Sequence, residues 1–382
     1  MAVDGLTLGV EEEYLLVDPE SRDLARDPPE ALFDEAAQVL GSAVTHEFLR
    51  CQIEIATPVC QNIADARRHL IAARGAIARV ARRHGLALMA ASTHPFADWG
   101  EQLHTPKPRY DRLDKDMQGA IRRMLICGMH VHVGIEDPEL RVDLMNQIGY
   151  FLPHLLALSA SSPFWQGRIM GMKSYRTCVW DGMPRSGLPG RFTSWGEYQR
   201  VVKKLVDAGL MEDASKIWWD ARPSGRFPTL EMRITDVCTR LEDALCIAAI
   251  YQSVIRFLLR LRHKNQRWRV YPMALLSENR WLAQRVGVGG QLLDLGRGQL
   301  TAFPALVEEL IELVGEDADA LGCAKELAHA RTIVDRGSAA CRQLALYDAE
   351  RKAGASEKDA LKTVVDFLLA ETVADVPGVS AL

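Results

Sequence analysis

"GVEEEYLLVDPES", residues 9–21, sets three consecutive carboxylates inside a stretch that otherwise reads as a strand. Val10 precedes Glu11, Glu12 and Glu13; Tyr14, Leu15, Leu16 and Val17 follow, and Asp18-Pro19 closes the run with a turn signal. Side chains alternate across a strand, so Glu11 and Glu13 share one face and Glu12 points the other way. Carboxylates repel one another and are costly to bury. The Glu11–Glu13 face therefore calls for cations, and Glu12 for a basic partner or solvent on the opposite side.

The same two-faced design recurs downstream. Strands are expected over residues 6–17, 48–59, 85–93, 125–135 and 227–237. In the second, Glu54 shares a face with Gln52, opposite Ile53 and Ile55. In the fourth, His130 and His132 share a face with Gly128 and Gly134, opposite Met129, Val131 and Val133. In the fifth, Glu231 and Arg233 lie with Thr229 and Thr235, opposite Leu230, Met232 and Ile234. A sheet of such strands has an aliphatic core side and a charged side. Divalent metal ions would neutralise the clustered carboxylates, and Glu oxygens are the hard ligands that Mg²⁺ or Mn²⁺ prefer. Glu47 lies seven residues before Glu54, so ideal alternation puts the two on opposite faces. It can join the cluster only from a loop or across a bulge.

Composition excludes several classes. Of 382 residues 48% are hydrophobic, enough for a sizeable core, and the net charge of −4 is spread along the chain. Neither nucleic-acid nor membrane binding is favoured. The most basic stretch, "RLRHKNQRWRV" over residues 260–270, reads as a solvated helix end and turn. Eight scattered cysteines without a C-x-x-C pair, several in apolar runs, indicate reduced buried thiols. With no window of ~18 uninterrupted apolar residues and no leader pattern, a soluble cytoplasmic protein is expected.

Helices separate the strands. Residues 62–84 form an amphipathic helix with Asn62 as N-cap and Gly85 beyond its end. Asp137-Pro138 opens a helix over 138–160 that Pro153 should kink or break. Ser194-x-x-Glu197 and Thr239-x-x-Glu242 read as capping boxes opening helices 195–209 and 240–262. After about residue 290 the pattern is only helical, with segments 299–314, 318–330, 335–353 and 357–371. This divides the chain into an α+β core, 1–290, and a helical extension, 291–382, packed on it. Within the core, 163–193 is rich in Gly, Pro, Trp and Arg without periodicity, which reads as a functional loop.

Taken together, "LGVEEEYLLVDPES", "LRCQIEIATPVC", "CGMHVHVGI", "GLPGRFTSWGEY", "IWWDARPSGRFPTLEMRITDV" and "SENRWLAQRVG" resemble the bacterial glutamate–cysteine ligase type 2 family, also called carboxylate–amine ligases. The resemblance runs in order from about residue 5 to about residue 370. It implies a glutamine-synthetase-like fold: a curved, mainly antiparallel sheet with helices behind it and the active site on the open face. It also implies the reaction: ATP, a carboxylate and an amine give an amide, ADP and phosphate. The carboxylate would be the glutamate γ-carboxyl and the amine that of cysteine. The family's metal ligands carry over to Glu11, Glu47 and Glu54 around one ion and to Glu13, His130 and Glu231 around another.

Phosphoryl transfer needs positioning and charge neutralisation more than covalent chemistry. Arg233, beside Glu231, is the candidate for the developing charge on the transferred phosphate. The 163–193 segment offers Arg168, Lys173, Arg176 and Arg191; Arg176 and Arg191, with His132, are the expected substrate-binding residues. Asn279 and Arg280, read as the start of a helix, are the expected nucleotide-binding pair. No G-x-x-x-x-G-K-[ST] loop occurs, which disfavours a P-loop ATPase. The competing readings are the same ligase chemistry on other substrates, a zinc-dependent amidohydrolase using the H-x-H pair, and a non-catalytic binding protein. A homodimer is the expected assembly.

Overall fold

The first strand, β1 (Leu8–Val17), lies at the centre of a seven-stranded sheet in a computed structural model that describes residues 6–380. The other strands are β2 (Val44–His46), β3 (Gln52–Ala56), β4 (Ala87–Met89), β5 (Met129–Gly134), β6 (Ala221–Pro223) and β7 (Thr229–Met232). Their order is β6-β7-β5-β1-β3-β2, with β4 pairing the end of β1, and every pair is antiparallel. The expected α+β class and mainly antiparallel sheet are present. Strands β2 and β6 were not expected: each is three residues long, and Pro223 in β6 argues against a strand by composition.

Alternation in β1 is visible in its burial. Val10, Glu12 and Tyr14 are buried on the core side, while Gly9, Glu11 and Glu13 are partly accessible. The core side is backed by α1 (Ile63–Arg83) and α6 (Leu241–His263), which also pack on each other. Asn62 caps α1 by accepting from the Asp65 amide at 3.0 Å, as expected. Helix α6 is long and apolar enough to cross a membrane, with mean hydropathy 1.6. It is mostly buried here as the central helix behind the sheet.

Glu12 is fully buried and has the basic partner its position demands. Arg74 of α1, itself without exposed surface, donates Nη2 to Glu12 Oε1 at 2.6 Å and Nε to Oε2 at 3.0 Å. The Tyr14 hydroxyl also donates to Glu12. The remaining guanidinium N–H groups reach the carbonyls of Cys238 and Thr239 at 2.8 Å and Thr372 at 3.4 Å. One buried fork thus ties the middle strand to the start of α6 and to the last helix.

Pro153 acts as expected, splitting the segment into α2 (Pro138–Ile148) and α3 (Leu152–Ser159). The 163–193 segment is less irregular than its composition suggests. It holds a small hairpin, the six-residue helix α4 (Tyr175–Trp180), and a two-residue strand paired with Trp218–Trp219. Elements this short are below the length at which periodicity shows. Helix α5 (Trp195–Asp207) is capped by Ser194, but Glu197 closes back on Thr193, one residue earlier than a capping box requires. Thr239 caps nothing: the N-cap of α6 is Arg240, and the buried Thr239 hydroxyl has no partner.

Beyond α7 (Met273–Val286) the chain is not purely helical. A hairpin, Gln291–Asp294 with Gln299–Ala302, precedes α8 (Phe303–Leu321), α9 (Ala324–Arg336), α10 (Ala339–Lys352) and α11 (Glu357–Val373). These helices share apolar packing with the rest of the core. Arg240 at the start of α6 also ion-pairs with Glu371 and Asp375. All eight cysteines are free thiols, most of them buried.

Replacing Arg74 with Met would leave the Glu12 carboxylate buried beside only a hydroxyl. The expected loss of unfolding free energy is about 3–5 kcal/mol, read from the denaturant midpoint. Adding Glu12→Gln to that variant should recover part of the loss. An unchanged midpoint in the single variant would contradict this role for Arg74.

Candidate active site

Register brings the charged residues together on the open face of the sheet. Across β1 and β3, Glu13 is opposite Glu54; across β1 and β5, Glu11 is opposite His130; across β5 and β7, His132 is opposite Glu231. Glu47 lies in the turn directly after β2, which is the loop placement that lets it escape strand parity.

Two groups of acids form along this face. In the first, Glu11 sits between the two histidines: Oε2 is 3.0 Å from His130 Nδ1 and Oε1 is 3.4 Å from His132 Nε2. Glu11, His132 and Glu231 each offer a ligand atom within 4.8 Å of the others. Burial pushes the Glu11 carboxyl up, but hydrogen bonds from the two histidines outweigh it and hold the group well below the usual range. Glu231 is likewise disfavoured by burial, yet Arg233 and Arg222 keep it strongly lowered and charged. Burial and the charge of Arg233 lower His130 to about 4, so its ring is neutral. Among the described residues the buried Nε2 of His130 has no hydrogen-bond partner, and that of His132 has only Glu11 Oε1, 3.4 Å away. Ring nitrogens so placed beside two ionised carboxylates fit a divalent cation.

In the second group, Glu13, Glu47 and Glu54 crowd together. Glu47 and Glu54 lie close enough to perturb each other. Burial and then the charge of Glu54 push Glu13 up to about 7. Burial, then Glu13, raises Glu47; burial, then Glu47, raises Glu54 well above the usual range. Three carboxyls that resist ionising together also fit a cation that would replace their protons. Side-chain proximity groups these residues differently from the expected division. Glu13 stands with Glu47 and Glu54, Glu11 stands with Glu231, and His132 completes the latter cluster while His130 flanks Glu11. Strand parity puts Glu11 and Glu13 on one face, but it leaves open which neighbours each carboxylate reaches.

Arginines frame both groups. Arg233 donates Nη1 to Glu231 and lies 3.5 Å from His130 Nδ1. Arg222 was not anticipated because β6 was not. It sits opposite Glu231 in the register and grips it with Nε at 3.0 Å and Nη2 at 3.2 Å. Arg176, on α4, is buried beneath the sheet face and donates to the carbonyls of Ile234 and Arg233, both at 3.3 Å. It occupies the space above Gly128, where a Cβ would lie 2.9 Å from the guanidinium carbon. The Gly128 amide is thereby free to donate to Glu13 Oε2 at 2.5 Å.

The other expected binding residues lie elsewhere. Asn279 and Arg280 are in the middle of α7, whose N-cap is Pro272, so no free helix amides accompany them. Asn279 is spent on the backbone of Leu293, accepting its N–H at 2.7 Å and donating to its carbonyl at 2.8 Å. Arg280 is held by Asp181 and Asp220. Arg191 is exposed and lines a separate surface cleft with Glu139, Asp143, Asn146, Thr193 and Arg267. Arg168 is exposed on the small hairpin. The histidines that a zinc hydrolase would require later in the chain are engaged away from this face. His154 packs on Tyr150, and His329 pairs with Asp243 at 2.8 Å.

Residues 7–365 match the family described as glutamate-cysteine ligase family 2. A Rhodospirillum rubrum protein named "Putative glutamate--cysteine ligase 2" is 57% identical, with 98% of this chain and 97% of that protein covered. A Jannaschia protein of the same name is 54% identical over 97% of each. Among solved structures, glutamate–cysteine ligase from Francisella tularensis in complex with AMP superposes with a TM-score of 0.70 at 12% identity, covering 99% of this chain and 91% of that one. A bifunctional glutathione synthetase from Pasteurella multocida gives the same score at 14% identity, covering 97% of this chain and 53% of that one. At such identities the superpositions speak for the fold. The match along nearly the whole chain speaks for the family: this protein is a ligase belonging to glutamate–cysteine ligase family 2.

Proposed function

We propose that the chain is an ATP-dependent carboxylate–amine ligase that makes an amide through an acyl phosphate, with the glutamate γ-carboxyl and the cysteine amine as its substrates. The observation that carries this reading is the pairing on one sheet face of two carboxylate clusters with buried, partly unsatisfied guanidiniums. A carboxylate is a poor acyl donor because its oxygen leaves badly. Transfer of the ATP γ-phosphoryl group to that oxygen makes a leaving group, and the chemistry asks for positioning and charge neutralisation. The residues that would hold Mg²⁺ or Mn²⁺ are Glu11, His132 and Glu231 with His130 beside them, and Glu13, Glu47 and Glu54. Such ions, when bound, neutralise phosphate oxygens.

The chain's own groups supply the rest. Arg233, whose buried Nε has no partner among the described residues, faces the charge that develops on the transferred phosphoryl group. Arg222 and Arg233 hold Glu231 ionised and oriented. Arg176, also with an unpartnered Nε, adds positive charge next to Glu13. The same geometry serves other carboxylates or amines equally, since the recognised half of the site is the acidic and cationic half.

The direct test is ADP release with Mg²⁺ or Mn²⁺, with glutamate and cysteine supplied separately and together. Release that requires both, with stoichiometric amide, is expected, and Glu231→Gln should lower turnover by about 10²–10³-fold with the fold intact. If glutamate and another amine support turnover and cysteine does not, the substrate assignment fails while the ligase reading stands. ADP release independent of both carboxylate and amine would overturn the reading.

A pH dependence follows from the second carboxylate cluster. Glu13 is neutral below its raised value of about 7, and Glu47 and Glu54 are raised as well. A cation must displace these protons, so affinity should strengthen as pH rises through that value and protons should be released. Titration calorimetry with Mn²⁺ at about pH 6 and about pH 8, in buffers of different ionisation enthalpy, reads both effects. Equal affinity at the two pH values with no proton release would contradict the cluster as a cation site.

A further inference from the structure

Arg176 and Arg233 present an arrangement that charge alone disfavours. Arg176 is buried and the Arg233 side chain is only 11% exposed, each lies within the other's electrostatic reach, and among the described residues each keeps an Nε donor without a partner. Both lie over the ring of Trp180, the last residue of α4. The Arg176 guanidinium carbon is 5.8 Å from the ring centroid and that of Arg233 is 5.9 Å from it. An indole face is the best aromatic partner for a guanidinium, and the attraction grows when water is excluded.

The ring is itself fixed on several sides. Its Nε1 donates to the Trp218 carbonyl at 3.1 Å. The next residue, Asp181, is gripped by Arg280, with Nη1–Oδ2 at 2.7 Å and Nη2–Oδ1 at 2.8 Å. The same guanidinium holds Asp220 through Nε at 2.6 Å, and the Asp220 carbonyl accepts the Arg233 amide at 2.8 Å. Arg280 therefore joins the end of α4, which carries Trp180, to the backbone of Arg233. The strongly basic residue of the "SENRW" stretch, which reads from sequence as a nucleotide contact, acts here as a brace.

We infer that Trp180 is a positioning residue. Its indole face, braced through Asp181 and Arg280, holds the Arg176 and Arg233 guanidiniums in place so that both unpartnered Nε donors serve one anion. This rests on the ligase reading, under which that anion is the phosphoryl group in transfer. Arg176 and Arg233 would contact it; Trp180 acts only through them.

The test replaces Trp180 with a graded series of fluorinated tryptophans, which keep the shape of the ring while draining its face of negative charge. The expected result is a stepwise fall in kcat, on the order of tenfold for the most fluorinated ring, with little change in KM for carboxylate or ATP. Affinity for ADP with aluminium fluoride and Mg²⁺, a mimic of the transferring phosphoryl group, should fall in parallel while affinity for ADP alone holds. Trp180→Phe should retain more kcat than Trp180→Met. A flat series in an active enzyme, or equal loss of both affinities, would overturn the inference and leave the ligase reading in place. If the unaltered protein bound no nucleotide at all, the ligase reading would fall, and the inference with it.

Discussion

The buried fork between Arg74 and Glu12 is the interaction on which the rest of the structure depends. Removing a charged pair from water is repaid only when geometry is good and the remaining donors are satisfied. Here Glu12 accepts two guanidinium bonds, and Arg74 spends its other donors on backbone carbonyls at the start of α6 and in α11. The pair fixes which way β1 faces. A slip of one residue would drive Glu11 and Glu13 into the aliphatic core and bring Glu12 out, exchanging one satisfied charge for two unsatisfied ones. The pleat of a single strand thus separates a structural carboxylate from two that remain available for chemistry.

On the open face the electrostatics are arranged by position along the sheet. Towards β7 two arginines and two histidines face two acids, and Glu11 and Glu231 stay ionised. Towards β3 and β2 the acids outnumber the arginines, and burial and mutual repulsion push the Glu13, Glu47 and Glu54 carboxyls up. Under the proposed function a cation would meet one cluster that is already charged and another whose carboxyls resist ionising. Arg176 and Arg233 stand against the boundary between them, with Gly128 leaving the space that Arg176 occupies.

Much of this was legible from residue order. Parity alone put Glu11 with Glu13, Glu54 opposite two isoleucines, and Glu231 with Arg233, because each lies in a strand long enough to alternate. Glu47 violated parity and proved to sit in a turn. What escaped depends on contacts that no local pattern encodes. Arg222 lies on a three-residue strand ending in Pro223. The ligand division turns on cross-strand register and side-chain direction. Asn279 and Arg280 read as a helix start, yet α7 begins earlier, at Met273. Trp180 sits on a helix of six residues, too short to show which face it presents.

The central claim is that this sheet face activates a carboxylate by phosphorylating it. The most direct measurement supplies glutamate carrying ¹⁸O in its γ-carboxyl group, with ATP, cysteine and Mg²⁺, and follows the released phosphate by ³¹P NMR. One labelled oxygen per phosphate released is expected, because the carboxyl oxygen leaves with the phosphoryl group when the amine attacks. Amide formation with unlabelled phosphate would contradict the account.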